Sequence, residues 1–102
     1  MSAAHDGSSS LEIYSRAWPA LRRAHLTVRG PLCAETCAEL LRVVDAALEP
    51  GHEVTLDLSE VTTADADGAQ AVRDCEALAE RRSALVEVQD PSPAARRALR
   101  GS

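Results

Sequence analysis

The apolar positions of this chain change period along its length. From Leu11 to Ser15, and again from Ala24 to Arg29, polar and apolar residues alternate, which predicts two strands. Trp18 and Pro19 break regular structure between them, so the pair reads as an antiparallel hairpin. Leu26 and Val28 share one face of the second strand, which leaves His25 on the other side and partly exposed. Gly30 and Pro31 are expected to end that strand. From Ala34 to Leu48 the period lengthens: Cys37, Leu40, Leu41, Val44 and Leu48 form a helical stripe, with Glu35 and Glu39 near its start and Pro50 and Gly51 after its end. Glu53 to Leu58 alternates again. After a loop, Ala71, Val72, Cys75, Leu78 and Ala79 recur at helical spacing towards Arg81 and Arg82. Ala84 to Val88 is a last strand. Ser92 caps and Pro93 opens a short final helix over Ala94 to Arg100.

The order strand, strand, helix, strand, helix, strand, helix predicts one α/β domain over residues 11–102. Its mixed sheet has four strands, the first antiparallel and strands two to four parallel through right-handed crossovers, packed with three helices. Residues 1–10, Ala, Asp, Gly and Ser-rich, read as a disordered tail. At 102 residues the chain suits a single core. With no Phe, one Trp and one Tyr, that core falls to Leu, Val, Ala and Cys. Trp18 reads as a lid over the sheet end, with a partner anchor as the other reading.

A net charge of −5 argues against a nucleic-acid binder, which needs a basic surface. All 11 basic residues are Arg, and the pairs Arg22–Arg23, Arg81–Arg82 and Arg96–Arg97 read as solvated charge. Cys33, Cys37 and Cys75 show no zinc spacing and read as small, reduced, buried side chains. No stretch approaches the run of about 20 apolar residues that crosses a bilayer, and Met1 to Ser10 carries no apolar core of a secretory signal. No membrane insertion is expected.

The stretch from Asp57 to Gly68 organises the rest. It joins the end of the third strand to the second helix, the kind of junction where open α/β sheets place working surfaces. Asp67 is expected to cap the helix there. Asp57, Leu58, Ser59, Glu60 and Val61, followed by Asp65, Ala66, Asp67 and Gly68, resemble the signature of the STAS domain, the anti-sigma-factor antagonist family: Asp-Leu-Ser-x-Val, a few residues, then Asp-Ser-Ser-Gly and a helix. The resemblance runs from Leu11 to Leu99 and includes Pro91, Ser92 and Pro93 followed by Arg96, Arg97 and Leu99. It implies that the second Ser of the tetrad, phosphorylated in the antagonists, is replaced by Asp67, and the first by Ala66. The family's Gly-Glu-Leu-Asp loop beside this site reads Gly30, Pro31, Leu32, Cys33.

No phosphate-binding Gly loop, Ser/His/Asp set or metal motif is present, and Asp57, Asp65 and Asp67 read as caps and turn formers, so neither an enzyme nor a cofactor is expected. A phosphoserine at position 67 would bring about −1.5 to −2 charges. Asp67 supplies one, permanently, and cannot accept a phosphoryl group as Ser does. Thr63 is the first alternative acceptor. The resemblance implies a cytoplasmic bacterial module that binds a protein through Asp65, Ala66, Asp67, Gly68, Cys33 and Thr63. The partner would be an anti-sigma factor with a serine-kinase-type ATPase fold. The alternative is an accessory subunit on the ATPase of an ABC-type lipid transport complex, which requires no phospho-switch.

Overall fold

The computed structural model describes residues 11–101. The expected tail, residues 1–10, lies outside them. Strand β1 (Glu12–Trp18) is followed by a short 3-10 turn (Pro19–Leu21), then β2 (Arg23–Leu32), α1 (Cys37–Ala47), β3 (Glu53–Ala64), α2 (Ala66–Arg81), β4 (Leu85–Gln89) and α3 (Pro93–Gly101). The sheet order is β1-β2-β3-β4, with β1 antiparallel to β2 and the remaining neighbours parallel. The expected architecture is therefore present, and its strands follow the chain order.

Alternation decides which side of each strand is covered. Leu26, Val28 and Leu32 of β2, Val54, Leu56, Leu58 and Val61 of β3 and Val86 of β4 are buried together with Leu40 and Val44 of α1, Val72, Cys75 and Ala79 of α2 and Ala95 of α3. Burying such aliphatic side chains contributes roughly 1.5–3 kcal/mol each. Two parallel crossovers that advance in the same direction along the sheet place their helices on the same face. The other face carries the alternate residues, such as His25, Thr27, Thr55 and Glu87.

Four boundaries differ from the expectation. Gly30 and Pro31 do not end β2. The strand continues to Leu32 through register shifts at Thr27/Arg29 and Gly30/Pro31, and Gly30 takes the positive φ of 112° that this irregular path needs. Its partner β3 likewise runs to Ala64, so the expected loop after Leu58 is largely strand. Helix α1 starts at Cys37, not Ala34, because residues 34–36 form turns. Trp18 is not a lid. Strand β1 runs through it and directs its ring to the uncovered face, 41% exposed, with the Arg16 guanidinium 5.6 Å from the ring centroid. The final helix forms as expected, with the Ser92 hydroxyl accepting from Ala95 N at 3.1 Å.

Candidate functional site

The six residues expected to meet a partner lie at the C-terminal ends of β2 and β3, where those strands pair beyond the reach of β4. Asp65 directly follows β3, and its N–H donates to the Leu32 carbonyl at the end of β2 (3.3 Å). Its backbone is extended, and its Oδ1 accepts from Gly68 N at 2.9 Å while its carbonyl accepts from Ala69 N at 3.0 Å. The helix cap is therefore Asp65, not Asp67. The longer β3 moves the start of α2 back to Ala66, which makes Asp67 the second residue inside the helix. Asp67 is exposed there, at the positive end of the helix dipole.

Gly68 is the tightest point of the junction. A Cβ built on it would lie 2.2 Å from the Leu32 carbonyl oxygen and 2.8 Å from the carbonyl carbon. The first turn of α2 rests directly on the β2 backbone, and only glycine permits that approach. The same packing fixes where Asp67 stands relative to the sheet.

The α1 side is held by a residue that the apolar pattern does not single out. Thr36 is 3% exposed. Its hydroxyl donates to the Pro31 carbonyl (2.9 Å) and accepts from Cys33 N (3.0 Å), tying the β2 end to the start of α1. Thr36 followed three residues later by Glu39 has the sequence form of a capping box. The hydroxyl serves the loop instead, and makes no capping contact with α1. The Cys37 thiol reaches across to the Asp67 carbonyl at 3.2 Å and to the Cys33 carbonyl at 3.0 Å. The Cys33 thiol meets Glu35 Oε1 at 3.2 Å.

Between the two helices lies a shallow groove of about 310 Å³, lined by Ala34, Cys37, Leu41, Asp67, Gln70, Ala71 and Asp74. Its floor is apolar and its rim is acidic. Burial, followed by the charges of Asp65 and Asp67, pushes the Cys37 thiol above its ordinary range, and burial pushes Cys75 up to about 12. Both therefore stay protonated near neutrality and are poor nucleophiles. Thr63 is exposed near the end of β3, where it pairs with Pro31.

Asp57 does not join this group. It sits mid-strand on the uncovered face, where Oδ1 accepts from Ser59 N at 3.0 Å and Oδ2 lies 3.4 Å from His25 Nε2. Burial raises the Asp57 carboxyl, but the hydrogen bonds from Ser59 and the contact with His25 outweigh it and leave it below the usual aspartate value. No cluster of three or more metal-ligating side chains occurs among the described residues. No helix among them is long and apolar enough to cross a membrane.

The fold has counterparts among solved structures. An antisigma-factor antagonist STAS domain from Rhodobacter sphaeroides superposes with a TM-score of 0.64 at 19% identity, over 78% of this chain and 86% of that one. The crystal structure of Mglu gives 0.62 at 19% identity over 80% of this chain, which spans only 20% of that protein. At such identities the likeness is one of fold. No curated protein matches the sequence. The family model described as "Mlab, STAS domain" matches residues 20–102. With a match over most of its length, and with the arrangement of strands and helices described above, this chain belongs to the STAS domain family.

Proposed function

We propose that this protein is a non-enzymatic, cytoplasmic regulatory module that acts in bacterial transcription by binding an anti-sigma factor of the serine-kinase-type ATPase class. The contact surface is the start of α2 with the flanking β2–α1 turn: Asp65, Ala66, Asp67, Gly68, Cys33 and Thr63. The observation that carries this reading is the exposed carboxylate of Asp67 in the first turn of α2, beside an apolar groove that the α1–α2 packing holds open. A rigid, shallow, two-helix surface with a fixed charge suits recognition of another protein better than reaction chemistry. The fold of an antisigma-factor antagonist domain is similar, which supports the choice of partner class.

Asp67 makes the module a poor phospho-switch. The anion that phosphorylation would add is already present at about half strength. Binding to a kinase-type anti-sigma factor is therefore weaker than it would be with a hydroxyl, and it is constitutive. Titration of candidate anti-sigma factors with the wild type and with Asp67→Ser tests this. The expected result is tighter binding by Asp67→Ser, on the order of tenfold, as removal of one repelling charge at an interface allows. Tight wild-type binding that the variant does not improve would refute the role given to the charge. Affinity capture from the native host tests the partner class, and recovery of a transporter ATPase in place of the anti-sigma factor would overturn it.

A further inference from the structure

All three helices pack on one side of the sheet, and the opposite side is left open. Strand register shows how charge is distributed across it. The β1–β2 half carries Arg16, Arg23, Arg29 and His25, together with one acid, Glu12, which lies beside Arg29 (3.9 Å) at a height that β4 does not reach. The β3–β4 half carries Glu53, Asp57, Glu60 and Glu87. Among the described residues, three of the four exposed large apolar side chains also lie here: Tyr14 at 52%, Trp18 at 41% and Leu85 at 49% exposed. A face that is predominantly basic and aromatic on one half and acidic on the other is complementary to itself.

We propose that the open face of the sheet is a homodimer interface, closed by a two-fold axis that runs parallel to the strands between β2 and β3. Such an axis keeps each residue's height along the strands and exchanges the two halves of the face. Register places Arg16 and Glu87 at one height, through His25 and Thr55, and Trp18 and Leu85 at the next, through Arg23 and Glu53. Arg16 of each copy then meets Glu87 of the other, and Trp18 meets Leu85. Each contact occurs twice, as an isologous interface requires. Stacked sheets pack about 10 Å apart with strands within roughly 30° of alignment, which this arrangement satisfies.

The inner pairs need no rearrangement. Arg29 with Glu60 (2.8 Å) and Arg23 with Glu53 (3.3 Å) already bridge β2 and β3 within one chain and lie near the axis. The outer residues Arg16, Trp18, Leu85 and Glu87 are exposed on the flanks of the face, with Arg16 lying over the Trp18 ring, and are open to contact across the interface. A sheet of four strands about seven residues long presents on the order of 400 Å² in projection. That is small beside the roughly 800 Å² per partner of a standard interface, so the dimer is concentration dependent. The axis leaves the α2 start of both copies outside the contact, so this interface and the proposed partner site are independent.

Sedimentation velocity across about 10 µM to 1 mM protein, at low and high salt, tests the proposal. The expected result is a monomer–dimer equilibrium that salt weakens. Arg16→Glu and Glu87→Arg are each expected to weaken association by about tenfold or more, since each interface loses two pairs and gains two repulsions. The double variant Arg16→Glu with Glu87→Arg is expected to return to within about threefold of the wild type, because the swapped charges attract again. Trp18→Ala serves as an apolar check and is expected to weaken the dimer while leaving its salt dependence in place. Circular dichroism of each variant confirms the fold. A monomer throughout the range overturns the proposal. So does a dimer that the single variants leave unchanged, or a double variant that stays as weak as the singles.

Discussion

The two faces of this sheet are built from neighbouring residues in the same strands. Leu26, Val28, Leu56 and Val86 point to the helices and are at most 6% exposed. His25, Thr27, Thr55 and Glu87, each one position away, point to the open side. The covered face is aliphatic and packed by three helices, so the cost of any change there is set by volume and cavity. The open face has only to be wettable, and that requirement does not choose between Thr, Arg and Glu. Stability is therefore concentrated on one side, while residue identity on the other is available for recognition.

The sharpest test of that contrast compares substitutions one residue apart. Leu56→Ala removes a fully buried side chain between the helices and the sheet and is expected to cost about 2–5 kcal/mol. Thr55→Ala on the open side is expected to stay within about 0.5 kcal/mol. Urea unfolding of both variants measures the difference. Similar losses would mean that the open face is as tightly packed as the covered one. Gly68→Ala comes next. The new methyl would lie 2.2 Å from the Leu32 carbonyl oxygen, a backbone atom that cannot swing away. Overpacking of this kind costs about 1–3 kcal/mol. Because Gly68 also sets the position of Asp67, the variant is expected to lose partner affinity along with stability.

How far the fold was legible follows from the same contrast. Where alternation or helical spacing is unbroken, as in Ala24–Arg29 or Cys37–Leu48, the pattern reports the covered face directly, and the strands and helices form where it places them. It fails where the ladder is irregular. In β3 the buried residues after Leu58 resume at Val61, three positions on instead of two, because the register with β2 shifts between Thr27 and Arg29. That extra residue breaks the period and disguises strand as loop. Gly30 and Pro31 are read as a stop for a similar reason: their usual meaning is overridden by pairing with a long neighbour. The misplaced ending of β3 in turn moved the cap from Asp65 to Asp67. At the candidate site the motif residues were visible, but Thr36 was not, since a buried hydroxyl that ties a loop to a helix start leaves no periodic trace.

The two aspartates at the start of α2 extend the comparison to charged groups. Asp65→Ala removes the oxygen that accepts from Gly68 N and is expected to cost about 1 kcal/mol, within the usual range for lost caps. Asp67→Ala removes only a charge near the helix dipole, with an expected cost of a few tenths to about 1 kcal/mol at low salt, fading as salt rises. Thermal unfolding at two salt concentrations separates them: the Asp65 effect persists and the Asp67 effect shrinks. If the order is reversed, Asp67 takes the capping role in solution.

The smallest effect is one of pH dependence, and it lies on the open face. The Asp57 carboxyl is held below its ordinary value of 3.8 in the fold, because the bonds from Ser59 and His25 to its charged form outweigh the cost of burial. A depressed carboxylate binds fewer protons in the native state than in the unfolded chain. Its contribution is thus fully present above the unfolded value and is lost as pH falls through the folded one. Asp57→Asn keeps the shape but cannot titrate. Wild-type stability is expected to fall on acidification from about pH 5 downwards more steeply than that of the variant, the two curves converging at the acid end. Since the group is partly solvated, with its side chain 18% exposed, the divergence at neutral pH is expected to be modest. Parallel curves would show that Asp57 titrates alike in the folded and unfolded chain. The bonds from Ser59 and His25 would then do no more than offset the cost of burying the Asp57 carboxylate.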